Sequence, residues 1–376
     1  MSPSRTIAVD AFRFGKIPNI DHYFLSHFHS DHYAGLSRSW THGKIYCSAA
    51  TGRLVIGMLN VSPEYVVLLD MDTRIELDGF TATLIDANHC PGSSIFVFET
   101  SRLRILHTGD FRATPGQLNH VSLKRKHVDT LYLDTTYLDP KYTFPSQLNV
   151  VTACAEAAFD IIHSKSFFAS AEERKWLVVV GTYSIGKERV AAAIARKLGA
   201  KIYISSRKQK LYANLQDREL DKYLTTDPTQ GIVHLVSLQE IRPATLRAYL
   251  KEFPQYTNVL GFRPTGWSYS PPGDRKSASP ATTSTDTILT DWRQPYTKSS
   301  LRPARGSGGD VTYFDVPYSE HSSFRELAAF VTAIDVGRVI PTVNVGSAKS
   351  RDKMRGWYDK WRSERRRKIG DFQTEW

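Results

Sequence analysis

Ser26-His27-Phe28-His29-Ser30-Asp31-His32-Tyr33-Ala34-Gly35-Leu36 follows directly on the apolar run Tyr23, Phe24 and Leu25. An apolar run that breaks into a polar, glycine-bearing loop reads as a strand end. Three imidazoles and a carboxylate within six residues suit a borderline-soft cation such as zinc. Histidines at alternate positions of a strand end converge on one ion, while Asp31 and His32 turn toward a second. A single histidine is usually a satisfied core or surface residue; it is the density of this cluster that reverses the expectation.

Further candidate ligands close later apolar runs. Thr83, Leu84 and Ile85 lead into Asp86-Ala87-Asn88-His89-Cys90-Pro91-Gly92, and Leu103 to Leu106 lead into His107-Thr108-Gly109-Asp110-Phe111-Arg112. His89 and Asp110 are therefore placed at strand ends. Far downstream, Val311 to Val316 run into Pro317-Tyr318-Ser319-Glu320-His321-Ser322-Ser323, which delivers His321 to the same edge. Cys90 neighbours His89, but adjacent side chains at a strand end point apart, so it is not expected among the ligands.

The motifs HFHSDH, NHCPGS, TGDFR, LDTTY, GTYSIGKERV, PYSEHSS and PTVNVG, beginning at residues 27, 88, 108, 133, 181, 317 and 341, resemble those of metallo-β-lactamase nucleases that carry a β-CASP insertion. Within that group the chain resembles the DNA interstrand cross-link repair exonuclease branch, which also includes Artemis. HxHxDH alone marks only the hydrolase superfamily; the later motifs mark the branch. The resemblance runs from about Asp10 to about Met354 and fails mainly between about Tyr269 and Gly309. It implies an α/β fold, an αββα metallo-β-lactamase sandwich with an inserted α/β β-CASP domain. It gives His27, His29 and His89 to one metal and Asp31, His32 and His321 to the other, with Asp110 bridging. Asp10 matches an acid that supports the ligand loop, and Asp134 an acid implicated in catalysis. Val343 stands where RNA-processing relatives carry histidine, which favours DNA as substrate. The implied cofactor is zinc, one or two ions, with magnesium or manganese as the option at the second site.

The ligand types agree with this chemistry on their own account. Paired cations activate water at neutral pH and neutralise the charge that builds on a phosphodiester under attack, so no serine or cysteine nucleophile is required. Asp134 is then expected to orient water or to hydrogen-bond a ligating histidine, a turn-cap role being the plainer alternative.

Gly181-Thr182-Tyr183-Ser184-Ile185-Gly186-Lys187 follows the apolar run 176–180 and precedes a helix-like stretch from Glu188. A strand, a small-residue loop and a helix start together present free backbone N–H groups and a positive dipole end. The spacing is not that of a Walker loop. Tyr183, Ser184 and Lys187, with Ser319 and Ser322 beside His321, are the candidate phosphate- and DNA-binding residues; a plain strand-to-helix turn is the alternative.

The chain has 376 residues, 41% of them hydrophobic, and a net charge of +11. Such length favours two or three domains, and the charge favours an acidic partner held by lysine and arginine with counterion release. Residues 1–147 are expected to form the first part of the metallo-β-lactamase domain and 148–310 the insertion. Residues 311–376 then return to the first domain and end in a basic helix whose aromatics Trp357, Tyr358 and Trp361 pack inward. Residues 269–309 are rich in Pro, Ser, Thr and Gly and read as a disordered loop. Three scattered cysteines form no framework and point to a reducing compartment. No run approaches the ~20 apolar residues of a membrane span, and no signal peptide is expected.

The expected function is metal-dependent 5′ to 3′ hydrolysis of DNA phosphodiester bonds, starting at a 5′-phosphorylated end, by a nuclear, monomeric repair exonuclease acting on interstrand cross-links. The alternatives are a hairpin-opening endonuclease of the Artemis type, a small-molecule metallo-hydrolase, and a β-CASP scaffold without activity.

Overall fold

The computed structural model describes residues 7–164, 175–269, 278–290, 292 and 295–367. The chain divides into two compact units, one of Met1–Thr143, Pro271–Arg293 and Glu320–Trp376, the other of Phe144–Ser270 and Gln294–Ser319.

The first unit holds two sheets. β1 (Ala8–Val9), β2 (His22–Phe24), β3 (Lys44–Ser48) and β4 (Val66–Leu69) lie side by side and parallel. The second sheet holds β5 (Arg74–Leu77), β6 (Phe80–Asp86), β7 (Ser94–Glu99), β8 (Arg104–His107) and β9 (His127–Leu133), and ends on the strand Asp335–Pro341, parallel to β9.

The period of two in β7 explains why this sheet must be covered on both faces. Phe96 and Phe98 pack with Phe80, Ala82 and Leu84 against Phe24, Tyr46 and Leu69 of the first sheet. Ile95 and Val97 face the other way, toward a core shared with the helices Phe324–Ala333 and Ala348–Arg367. The helix Ala49–Leu59 packs on β3 and β4, burying Leu54 and Val55. The result is a helix–sheet–sheet–helix sandwich. In the last helix Trp357 and Trp361, one turn apart, are fully buried and stack at 5.9 Å between centroids.

The second unit is a six-stranded parallel sheet. Its strands are β10 (Trp176–Thr182), β11 (Lys201–Tyr203), β12 (Leu224–Thr225), β13 (Gly231–Ser237), β14 (Asn258–Pro264) and β15 (Val311–Val316), in the order β12-β11-β13-β10-β14-β15. Helices Gln147–His163, Glu188–Leu198, Ser206–Leu215 and Pro243–Lys251 belong to this unit. The central β10, flanked on both sides, is a continuous run of buried residues from Leu177 to Thr182, as a strand in the middle of a parallel sheet requires.

Two expectations are corrected. The chain was expected to rejoin the first domain at residue 311, but β15 completes the second unit's sheet: Val259 pairs with Val311 and Pro264 with Val316. The segment 269–309 was expected to be a disordered loop. Residues 270–277, 291, 293 and 294 lie outside the described residues, but Thr285–Thr290 is helical and the first unit's core takes up both Ile288, fully buried, and Trp292. Leu301 is also buried, and Pro303 bridges to Phe314 of β15. A few large apolar side chains anchor a segment whose average composition is polar.

Candidate metal centre

The site lies wholly in the first unit, where loops leave β2, β6, β8 and β9 and where the helix Phe324–Ala333 begins. His27 and His29 sit just before the short helix Ser30–Tyr33, which carries Asp31 and His32. His27 Nε2 and His29 Nδ1 are 3.0 Å apart, and His89 Nε2 lies 3.1 Å from the same His29 nitrogen. Asp110 Oδ2 is 3.3 Å from His32 Nε2, 3.8 Å from His27 Nε2, 3.9 Å from His89 Nε2 and 4.0 Å from His321 Nε2. Three overlapping groups of potential ligands result: His27, His29, His89 and Cys90; His27, His32 and Asp110; His89, Asp110 and His321.

These donors fit a metal. Tetrahedral zinc with bonds of 2.0–2.1 Å separates its nitrogen ligands by about 3.3 Å, close to the spacing here. Imidazoles turned nitrogen to nitrogen around one carboxylate oxygen are costly unless a cation lies among them. Asp110 lies nearest the centre of four of the histidines. Asp31 stands apart: its Oδ2 is 3.5 Å from His32 Nε2, but 77% of its side chain is exposed.

The far nitrogens of four of these rings are held. Ser26 Oγ is 2.9 Å from His27 Nδ1, Asp10 Oδ2 2.8 Å from His32 Nδ1, the Glu320 carbonyl 2.9 Å from His89 Nδ1 and Asp134 Oδ2 2.8 Å from His321 Nδ1. Such contacts set tautomer and ring orientation and raise ligand basicity. Asp10 also accepts from the Ser26 amide at 2.8 Å, so it ties the start of the histidine loop to the end of β1. Asp134 accepts at Oδ1 from the amide and hydroxyl of Thr136, and at Oδ2 from the Phe111 amide at 3.3 Å as well as from His321. It therefore fixes a candidate ligand. The Val343 amide and carbonyl are both bonded to Thr135 Oγ1, beside Asp134.

The charges follow from this geometry. Burial, then the neighbouring imidazoles, hold His27 and His89 well below the usual histidine range, so both are neutral as a metal ligand must be. Burial pulls His32 down too, but its hydrogen bonds to Asp10 and Asp110 and their charges outweigh that and raise it to about 11. Burial raises Asp134, and the His321 charge and hydrogen bond reverse the shift, leaving it below the usual carboxylate range.

The loops themselves are locked by residues that local motifs did not single out. Arg112, 1% exposed, donates from Nε and Nη2 to Glu326 at 2.9–3.2 Å. Glu326 also closes the capping box on Ser323 that starts the helix Phe324–Ala333, so one ion pair holds the loops of Asp110 and His321 together. The S-x-x-E spacing was a signal for that cap; its arginine partner, 214 residues away, had none. Ser322 is corrected: expected to bind phosphate, it is buried, donating from Oγ to the Phe111 carbonyl at 3.0 Å and accepting from the Ala113 amide at 2.9 Å. Cys90 is the reverse case. It was expected to point away, yet its Sγ lies within 4.8 Å of the ligand atoms of His27, His29 and His89. Residues 88–93 form no strand but a turn, with Asn88 and Gly92 at positive φ and Ser93 N bonded to Cys90 O, so strand alternation does not apply.

The expected phosphate residues Tyr183, Ser184, Lys187 and Ser319 all belong to the second unit. Lys187 caps the helix Glu188–Leu198 with φ +72, its Nζ 4.9 Å from the Tyr183 ring centroid and 5.7 Å from that of Tyr318. The backbone nest is partly filled from within: the Gly186 amide donates to Glu188 Oε1 at 2.7 Å. Ser319 is buried, its carbonyl accepting from Gln147 Nε2 at 2.9 Å.

A sandwich of two sheets between helices, with histidines and an aspartate gathered at strand ends, defines a metallo-β-lactamase-type metal centre. Residues 5–168 match the family model described as Beta-lactamase superfamily domain, and residues 218–347 match the one described as DNA repair metallo-beta-lactamase. The chain is 45% identical over 98% of its length to DNA cross-link repair protein pso2/snm1 of Schizosaccharomyces pombe, covering 64% of that protein. It is 38% identical over 96% of its length to DNA cross-link repair protein SNM1 of Arabidopsis thaliana, covering 68% of it. With 5' exonuclease Apollo of Gallus gallus it shares 30% identity over 91% of its length, covering 62% of that entire protein. The chain belongs to the DNA repair metallo-β-lactamase family, whose members include these DNA cross-link repair proteins. Among the described residues no helix is long and apolar enough to cross a membrane.

Proposed function

We propose that the chain is a metal-dependent DNA exonuclease that hydrolyses phosphodiester bonds from a 5′-phosphorylated end in the repair of interstrand cross-links in the nucleus. The observation that carries the reading is the convergence of His27, His32, His89 and His321 on Asp110, each ring braced from behind, with His29 against His27 and His89. It is supported by the family to which the chain belongs, and by the names of its relatives there, DNA cross-link repair proteins and a 5′ exonuclease.

Zinc is the cation this donor set fits best at the His27, His29 and His89 group, with magnesium or manganese as the alternative at the group around His32 and His321. When bound, the metal supplies water activation at neutral pH and neutralisation of the phosphoryl charge. The chain's own residues supply the rest. Asp10 and Asp134 hold His32 and His321 with Nε2 turned toward Asp110. Arg112, Glu326 and Ser322 hold the two loops that carry Asp110 and His321 at fixed spacing, which favours catalysis because reacting groups need not be ordered during the reaction. Lys187, only 5% exposed, is the cation proposed for a terminal phosphate, which carries more charge than an internal diester, and the net charge of +11 favours DNA association.

Purified protein on end-labelled single-stranded DNA, with a 5′-phosphate or a 5′-hydroxyl and with a hairpin control, tests the reading. Release of nucleotides from the phosphorylated 5′ end, abolished by a chelator and restored by metal, is expected. Equal digestion of both 5′ ends, digestion from the 3′ side, or hairpin opening without end preference would replace the exonuclease reading by another.

A further inference from the structure

In a parallel sheet every strand runs the same way, so the loops that follow the strands gather at one edge. In the second unit that edge collects the loop 183–187 after β10, the start of the helix Ser206–Leu215 after β11 and the turn Gly266–Ser268 after β14. β10 and β14 are neighbours, Val180 pairing with Phe262, with Tyr183 three residues beyond one and Trp267 five beyond the other. From β10 the chain moves to β11 on one side, whereas β14 lies on the other. The crevice outside the ends of β10 and β14 is therefore the switch point at which open parallel sheets bind ligands.

Three large hydrophobic side chains are exposed among the described residues of this unit: Leu148, Tyr183 at 48% and Trp267 at 61%. Scattered exposed hydrophobics need no explanation, but two of these three are aromatic and flank the switch point. Cations accompany them. Lys208 Nζ donates to the Tyr183 carbonyl at 2.7 Å, with Arg207 exposed beside it, while Lys187, which lies against the Tyr183 ring, is buried. Exposed rings interleaved with ammonium and guanidinium groups match one polymer: a strand whose bases are free to stack and whose phosphates need counter-charge. A duplex hides its base faces and would leave both rings unused.

We infer that Tyr183 and Trp267 form a base-stacking platform for single-stranded DNA, tolerant of sequence, with Lys208 and Arg207 along its backbone. The inference deepens the nuclease reading and rests on it, naming the strand state the enzyme holds and assigning Trp267 a binding role.

The test uses the full chain with its metal and two phosphorothioate-linked, 5′-phosphorylated 12-mers that resist cleavage, one of thymidines and one abasic, with binding read by fluorescence anisotropy. Wild type is expected to bind the thymidine strand roughly tenfold more tightly than the abasic one, the scale of a stacked base. Trp267→Ala should lose most of that difference while leaving abasic binding and metal content unchanged, and Trp267→Phe should restore it. A base-dependent difference as large in Trp267→Ala as in wild type, or none in wild type, overturns the platform. Cleavage of ordinary 5′-phosphorylated DNA by wild type, measured in parallel, separates the two failures: it survives if only the platform is wrong and is absent if the nuclease reading is wrong.

Discussion

Asp134→Asn isolates the part a braced histidine plays. The Asp134 carboxylate accepts four hydrogen bonds: Oδ2 from His321 Nδ1 at 2.8 Å and the Phe111 amide at 3.3 Å, Oδ1 from the Thr136 amide at 2.9 Å and the Thr136 hydroxyl at 2.6 Å. An amide of the same shape accepts with one oxygen only. If that oxygen faces His321 and Phe111, the new NH2 group meets the Thr136 N–H, while the Thr136 hydroxyl can turn to accept. The opposite rotamer sets the NH2 group against two donors, so the first is preferred and leaves the half-buried Thr136 amide unpaired, at about 1 kcal/mol. His321 then keeps a hydrogen bond but loses the anion behind it, and loss of such a partner typically lowers metal affinity 10–100-fold. The expected outcome is a folded protein melting a few degrees lower, with metal lost in a chelator competition at 10–100-fold lower chelator activity. A melting loss with metal affinity within twofold of wild type would show Asp134 to be a turn cap and refute its part in holding His321.

Asp110→Ala removes the oxygen that four histidines face without opening the core, so elemental analysis should find less than the wild-type metal content in a protein of unchanged circular dichroism; full metal with an unchanged nuclease rate would exclude the bridge. Trp361→Ala empties a fully buried site of the first unit's core and should cost about 3–5 kcal/mol in denaturant unfolding; a loss below about 1 kcal/mol would show that the helix Ala348–Arg367 is not anchored there. His234, fully buried between Tyr249 Oη and the Gly231 carbonyl, is depressed by burial to about 4. Its unfolded form binds a proton near pH 6.5, so its contribution is present above that pH and is lost as pH falls toward 4; wild type should lose about 2 kcal/mol between pH 7 and pH 5 beyond what His234→Gln loses. Equal losses in the two would refute it. DNA binding should weaken steeply between low and physiological salt, measured by anisotropy, because each lysine or arginine on a phosphate releases counterions; a flat response would count against nucleic acid.

Local chemistry made much of the site legible. HFHSDH packs four candidate ligands into six residues, and His89 and Asp110 close apolar runs, so the strand-end placement follows from the break in each run. The inward face of the last helix was equally readable, because Trp357 and Trp361 repeat at one helical turn. The bracing of the ligands was not. Asp10 reaches His32 across 22 residues, Asp134 reaches His321 across 187 and the Glu320 carbonyl reaches His89 across 231; only folding brings such pairs into contact, and no local spacing encodes them. The turn at 88–93 overturned the alternation that would have sent Cys90 away, because positive φ at Asn88 and Gly92 curls the backbone.

Composition misled where a few side chains outweigh many. Residues 278–290 are polar on average, but a fully buried Ile288 contributes what its polar neighbours do not, and burial is decided by the surface that receives it. The same holds for Val311 to Val316. Their sequence specifies a strand, because five of the six are β-branched or aromatic residues, which suit an extended chain. Which sheet accepts that strand is decided by the open edge of β14, whose backbone donors and acceptors pair with it along six residues, a choice that exists only once the sheet has formed.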